Sequence, residues 1–386
     1  MQYRQFGKLD WKCSVLGFGA MRLPQLGNEM ISPINEPEAI RMIRYAIDHG
    51  VNYVDTAAIY NMGGSEKVVG QALRDGYRQK VKLATKLTAF MLKSSSEFDK
   101  FFNDQLERLQ TDKIDFYLLH GIDRDFWKMF KEWKAIQFIE KKMAAGQIKN
   151  IGFSFHDEYK LFKEIIDSYD NWTFCQIQYN YMDVNRQAGR RGVEYAASKG
   201  LAIVVMEPIR GGLLANKPPA EVAQIWKGTD RKWSLAEWAL RWVWNQPEIS
   251  LALSGMSTMK QVEENLAIAD RSAVGQLDSK DLALLNEVRK VYEKITPVPC
   301  SNCRYCMPCE NGVSIPFILG LYNDLEVFKS REAYLRYKMF FEEGHGADKC
   351  QDCGKCEQAC PQKIDIPACL KKAHEALNRG AGLPAR

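Results

Sequence analysis

The 386-residue sequence has no apolar run near the ~18 residues a membrane-spanning helix needs. Its first residues, MQYRQFGKLDW, lack the charged-then-apolar pattern of an export signal. A cytoplasmic location with no membrane partner is therefore expected. There is no strong excess of charge: 53 basic against 48 acidic residues leave a net +5. That is too mild to argue for nucleic acid or a membrane surface. No flavin motif is evident. No GxGxxG run follows the first expected strand, where GFGAMR (Gly17–Arg22) stands instead, and this argues against an open doubly wound nucleotide-binding sheet. Cysteine is nearly absent before residue 300, with only Cys13 and Cys175 there. The other nine of the 11 crowd between Cys300 and Cys369. Without an export signal, such crowding suggests metal rather than disulfides. Cys369, Cys13 and Cys175 read as plain buried thiols.

What is present before residue 290 is an alternation of short apolar strands and helices. Residues 2–12 read as a hairpin. Strands are expected at Val15–Gly19, Asn52–Asp55, Val81–Lys86, Ile114–His120, Ile148–Ser154, Phe174–Tyr179, Ala202–Met206 and Ser250–Ser254. Between them helical spacing runs over Arg41–His49, Glu66–Leu73, Ser94–Leu109 with a serine-rich start as its cap, Glu132–Ala145, Asp157–Ser168, Gly192–Lys199, Leu235–Asn245 and Met259–Ala269. Gly121–Lys131 and Arg210–Arg231 read as loops, and Phe126 and Trp127 as either pocket wall or packing. Near-continuous apolar strands are the mark of a parallel sheet covered on both faces. Eight such units predict a closed (β/α)8 TIM barrel over residues 1–290.

A barrel of this kind carries its chemistry where strands end. Asp55, Lys86 and His120 end three successive strands, and Tyr60 lies in the loop after the first of them. A phenol is a weak acid, with an ordinary pKa near ~10; an ammonium beside it lowers that value, and a carboxylate holds the ammonium. An imidazole orients the oxygen next to the phenol. Such a group protonates a carbonyl oxygen while hydride reaches the carbon.

The series VDTAAIY, SEKVVGQAL, LATK, DFYLLH, IKNIGFS, CQIQYN and SGMSTMKQVEEN resembles the aldo-keto reductase family over roughly residues 1–290. The resemblance implies a (β/α)8 barrel, a nicotinamide dinucleotide (NADPH or NADH) and a small-molecule carbonyl substrate. It implies a tetrad of Asp55, Tyr60, Lys86 and His120, with Tyr60 as general acid. It also implies that Ser154 and Gln176 meet the nicotinamide carboxamide. Phe155 stands where the family usually has Asn, and Met206 where it often has a stacking Tyr. Gly211, Gly212 and Leu213 would line the pyrophosphate. Gly255, Ser257, Thr258, Gln261, Glu264 and Asn265 would hold the adenosine half. Gly255 and Gln261 replace the family's usual basic clamps for a 2′-phosphate, so NADH and NADPH are not separated.

After the segment Ile295–Pro299, read as a linker, a small, mostly helical ferredoxin-like iron-sulfur domain is expected over 295–386. CSNCRYCMPCE brings Cys300, Cys303, Cys306 and Cys309; CQDCGKCEQACP brings Cys350, Cys353, Cys356 and Cys360. The second run has the CxxCxxCxxxCP spacing of bacterial ferredoxins, which points to two 4Fe–4S clusters rather than zinc. The first run is similar to that of aldo-keto reductase relatives with a ferredoxin-like tail. By that resemblance, one cluster takes Cys300, Cys303, Cys306 and Cys360, and the other takes Cys350, Cys353, Cys356 and Cys309. The alternative is one cluster per run. Phe317–Phe341 between the runs reads as helices that shield the clusters and pack on the barrel. The expected function is carbonyl reduction with clusters for electron transfer, an electron-transfer protein being a further candidate partner. A second reading keeps the iron-sulfur module as an electron carrier or redox sensor on a catalytically degenerate barrel.

Overall fold

The computed structural model describes residues 1–27 and 32–379. Residues 380–386 of the expected second domain lie outside the described residues. Two compact units divide the described chain. One comprises residues 1–27, 32–212 and 233–278; the other comprises 213–232 and 279–379. Among the described residues no helix is long and apolar enough to cross a membrane.

The first unit begins with an antiparallel hairpin of β1 (Tyr3–Gln5) and β2 (Lys12–Ser14). Eight parallel strands then close into a barrel: β3 (Leu16–Gly19), β4 (Tyr53–Asp55), β5 (Lys82–Leu87), β6 (Ile114–Ile122), β7 (Ile148–Phe155), β8 (Phe174–Gln178), β9 (Ala202–Met206) and β10 (Leu251–Ser254), with β10 pairing back onto β3. Because strand side chains alternate between faces, each strand feeds two cores. Val54, Tyr117, Leu119, Phe153, Phe155, Cys175, Ile177 and Ala252 face outward into the layer beneath the helices. Tyr53, Ala84, Phe116, Leu118, Phe174, Ala202, Val204, Leu251 and Leu253 fill the barrel interior together with Phe6 and Cys13 from the hairpin. The Phe6 ring lies 4.7 Å from that of Phe116 and 6.0 Å from that of Tyr53, and the Trp11 ring 5.7 Å from Phe116. The hairpin thus stoppers the end of the barrel where the strands begin.

Several helices differ from expectation for local reasons. The first begins at Glu36 rather than Arg41, because Asn35 accepts the Glu38 N–H as its cap and Pro37 suits a first turn. The expected serine cap near residue 94 is not made. Ser94 bonds Ser96, and Phe98–Leu109 follows a short 3-10 turn, Ser95–Glu97. The segment Gly121–Lys131 is not all loop. Asp123 accepts the N–H groups of Asp125 and Phe126 and starts a helix over Arg124–Glu132, separate from the next at Ala135–Ala144. Trp127 is buried there with its indole N–H on Glu164, so it packs between helices, whereas Phe126 is only partly buried. A helix, Ala220–Trp226, also interrupts the expected loop Arg210–Arg231.

In the second unit, Ser279–Ile295 runs through the start of the expected linker. Its Tyr292 ring meets that of Phe328 at 5.2 Å, and its Asp281 pairs with Arg231 at 2.8 Å. The aromatic stretch forms helices Ile315–Phe328 and Arg331–Glu342, and the last helix is Ile366–Arg379. Ile318, Leu319, Leu321, Leu325, Tyr337 and Leu370 form a small core against which seven of the cysteines, Cys369 among them, are partly buried. Cys369 is therefore less enclosed than Cys13 and Cys175, which are fully buried.

Candidate functional site

The alternation that builds the barrel also decides which polar residues meet. Counting by twos from the interior residues places Asp55 two beyond Tyr53, Lys86 two beyond Ala84 and His120 two beyond Leu118. Gln176 stands two beyond Phe174, and Met206 two beyond Val204. All therefore project inward at the ends of their strands. Ser154 on β7 and His156 just beyond its end have the same parity, while Phe155 points outward and packs its ring 5.1 Å from that of Phe162.

Lys86 is fully buried (0 % exposed). Its Nζ donates to Asp55 Oδ1 at 2.6 Å and to the Thr56 carbonyl at 2.8 Å, and lies 4.8 Å from the Tyr60 ring centroid. Withdrawal from water pulls the ammonium pKa down, but Asp55 and Tyr60 outweigh it and the net direction is up. Lys86 is a fixed cation. Tyr60 opens a 3-10 turn, Tyr60–Gly63, whose Asn61 and Met62 have φ of 50° and 55°. Burial raises the Tyr60 pKa, and Lys86 acts against this without reversing it. The lowering expected from the ammonium is thus present but smaller than the desolvation. The phenol holds its proton at neutral pH, as a general acid must.

The His120 ring lies 5.9 Å from that of Tyr60, at nearly a right angle, and its Nδ1 is 2.8 Å from Thr88 Oγ1. Desolvation, then Lys86 and His156, hold its pKa well below the ordinary histidine value, so the ring is neutral. With Nδ1 engaged by Thr88, Nε2 is the nitrogen left for a ligand. Phe90 packs 5.9 Å from His120 and 5.4 Å from Phe126, an aromatic wall beside the phenol.

A second layer fixes this group. Glu66, fully buried, accepts from Thr85 Oγ1 at 2.6 Å, Gln105 Nε2 at 2.7 Å and Arg108 Nη2 at 2.7 Å. Gln105 also donates to the Lys86 carbonyl at 3.1 Å. Reading the residues singly missed Glu66, Gln105, Thr88 and His156; the parity of β7 would have pointed to His156.

Of the residues expected near a dinucleotide, Gln176 is buried. Its Nε2 donates to Asp55 Oδ2 at 2.6 Å, while its Oε1 is buried without a hydrogen-bond partner. Ser154 Oγ accepts the Gly121 N–H at 2.7 Å. Gly211 and Gly212, with φ of 65° and 98°, lie in the turn Arg210–Ala215 together with Leu213. Thr258 caps the helix Met259–Arg271 through the Gln261 N–H, and Gln261 Oε1 accepts the Ser257 N–H at 2.7 Å. Glu264 is exposed and pairs with Lys260, whereas Asn265 is buried on Ser254 Oγ at 3.0 Å.

In the second unit, Cys300, Cys303 and Cys306 of the first run and Cys360 of the second line one cavity. Burial pushes the Cys306 thiol up to about 12, and Cys300 adds to it; a bound cation would reverse both effects. Among the described residues no three His, Cys, Asp or Glu side chains are grouped for a single metal ion. In the other set, Cys350 and Cys353 raise Cys356 after burial does, and Glu310, next to Cys309, is paired with Lys355, next to Cys356, at 2.6 Å. The two runs share one backbone pattern. The residues flanking the second cysteine of each are left-handed: Asn302 and Arg304 (φ 60° and 63°), and Asp352 and Gly354 (52° and 71°).

Residues 15–290 match the model of the aldo/keto reductase family, and residues 299–364 match that of a 4Fe-4S dicluster domain. The L-galactose dehydrogenase of Arabidopsis thaliana is 28% identical, the alignment covering 76% of this chain and 95% of that protein. The methylglyoxal reductase YeaE of Escherichia coli is 28% identical over 64% of this chain and 83% of its own. The holo form of an aldo-keto reductase from Bacillus halodurans superposes with a TM-score of 0.61 at 27% identity, covering 75% of this chain and 96% of that one.

Proposed function

The chain belongs to the aldo/keto reductase family and carries a 4Fe-4S dicluster domain over residues 299–364, and from that footing we propose that it reduces an aldehyde or ketone with NADPH or NADH, Tyr60 donating the proton. The observation that carries the reading is the convergence of a protonated phenol, a fixed ammonium and a neutral imidazole at one barrel mouth. The dinucleotide, when bound, supplies hydride to the carbonyl carbon. Gln176 fits it on this chain's side, because its orphaned Oε1 lacks the N–H that a carboxamide carries. Phe155, turned outward, offers no such group. His120 Nε2 orients the carbonyl oxygen toward the Tyr60 hydroxyl. As Tyr60 gives up its proton, Lys86 holds the phenolate charge, and Asp55 keeps Lys86 in place.

Two 4Fe–4S clusters fit the cysteines as crossed sets, one on Cys300, Cys303, Cys306 and Cys360 and the other on Cys309, Cys350, Cys353 and Cys356. The cavity shared by three cysteines of one run and the last of the other favours the crossed sets over one cluster per run. Clusters held by these cysteines would supply one-electron chemistry, apart from the two-electron hydride step at Tyr60, and would pass single electrons between two external one-electron carriers. An anaerobic carbonyl screen following NADPH and NADH oxidation tests the reading. Turnover should fall at least a hundredfold in Tyr60→Phe. The same variant reacting as fast as the parent would sink it. Cys353→Ser should keep carbonyl reduction while losing reaction with an external one-electron donor.

A further inference from the structure

We propose that His156 is a substrate-binding residue of the barrel mouth and that it selects a carbonyl substrate carrying a hydroxyl group. The proposal rests on the carbonyl-reduction reading above and names the class of compound it applies to. His156 stands just past β7, two residues beyond Ser154. Its N–H donates to the Ile122 carbonyl at 2.8 Å, so the extended pairing with β6 continues through it and keeps the parity of Ser154. The side chain therefore turns into the mouth. There its imidazole adds to the forces that keep His120 neutral, and the His120 ring lies 5.9 Å from that of Tyr60. The segments after β6 and β7 are tied to each other. The Arg124 N–H donates to Asp157 Oδ2 at 3.0 Å, and the Arg124 guanidinium to Glu158 at 2.8 Å.

The wall around the phenol is otherwise apolar where it is accessible. Ile59 and Met62, near Tyr60 in the chain, are exposed, and so is Phe90, which packs on His120 and Phe126. His156 interrupts that wall. It is partly exposed. Asp123 acts on its ring through charge, and the ring makes no hydrogen bond among the described residues. Neither ring nitrogen is sealed in, in contrast to Gln176 Oε1. Desolvation holds the ring at a pKa of about 4, so it is neutral at pH 7. A neutral imidazole offers one donor and one acceptor. A carboxylate would gain no charge pairing from it. An apolar chain seated against it would strip its water and return no hydrogen bond. A hydroxyl both donates and accepts, and satisfies whichever nitrogen faces it.

The test compares kcat/KM for each enantiomer of glyceraldehyde with that for propanal, in the intact, iron-loaded protein under anaerobic conditions. The two aldehydes differ in intrinsic reactivity, but that difference cancels when the ratio in a variant is divided by the ratio in the parent. In His156→Phe the ratio should fall about three- to tenfold for at least one enantiomer, the range of one neutral hydrogen bond. The loss should lie mainly in KM, as for an interaction made equally in the ground and transition states. His156→Gln, whose amide also donates and accepts, should recover part of it. A merely structural role would slow both aldehydes together and leave the ratio unmoved. If His156→Phe does not fold, as judged by its melting curve, His156→Leu serves with the same expectation. Parent protein inert toward every carbonyl would remove the carbonyl-reduction reading, and this proposal with it. Parent that reduces other aldehydes but neither enantiomer of glyceraldehyde would overturn the proposal alone, as would a variant whose ratio equals the parent's for both.

Discussion

The barrel unit and the cysteine-rich unit organise their sites in opposite ways. In the barrel, the polar residues that meet come from positions as distant as Asp55 and Gln176, and they meet because a large apolar core holds eight strand ends on one rim. In the second unit the candidate ligands lie in two short runs, and the core beneath them is small. One unit has a fold that makes a site; the other has a ligand set that must help make the fold. Small domains with little core commonly lean on metal in this way.

The largest effect that separates the two is iron removal. Oxidation with a chelator should leave residues 299–364 exchanging amide hydrogens at nearly unfolded rates, while β5 to β8 keep their protection. Equal protection in both units would erase the contrast. Next in size is Lys86→Met, which leaves the Asp55 carboxylate buried without its cation. A loss of about 3–5 kcal/mol is expected in urea unfolding of the barrel. Adding Asp55→Asn should return much of that stability and none of the activity, which distinguishes a chemical role from a packing one.

A smaller effect follows from His156. Desolvation lowers its pKa to about 4, against 6.5 ordinarily. Between those values the unfolded chain binds the extra proton, so stability is full above pH 6.5 and falls as pH drops toward 4. From pH 7 to pH 5 the barrel should lose up to about 2 kcal/mol through this residue. His156→Gln should flatten that part of the curve, and an unchanged slope would exclude His156 as its source. The smallest effect belongs to Lys355→Ala. The pair with Glu310 bridges the two cysteine runs, yet both side chains are exposed. No measurable change in the melting of the iron-loaded protein is expected. A clear drop would mean that the ion pair, and not the metal, joins the runs.

The strands were legible because they are apolar on both faces, and Asp55, Lys86 and His120 because polar residues ending such strands are conspicuous. His156 escaped notice because β7 reads as stopping at Ser154, when the strand runs to Phe155 and the next N–H, that of His156, still bonds the Ile122 carbonyl. The helix Arg124–Glu132 was lost between two glycines although Asp123 signals its start. Trp127 and Phe126, adjacent in the chain, diverge because a helix turns neighbours about 100° apart: one is locked on Glu164, the other stands behind Phe90. The desolvation that outweighs Lys86 at Tyr60 had no sequence signature, since burial depth is a property of the assembled mouth.

The hairpin wedged under the barrel makes the interior a cul-de-sac. Its floor is already filled by Tyr53, Phe116 and Phe174, so nothing passes through from beneath. Phe6 and Trp11 brace that floor against Phe116, so whatever reaches Tyr60 and His120 comes from the side where the strands end.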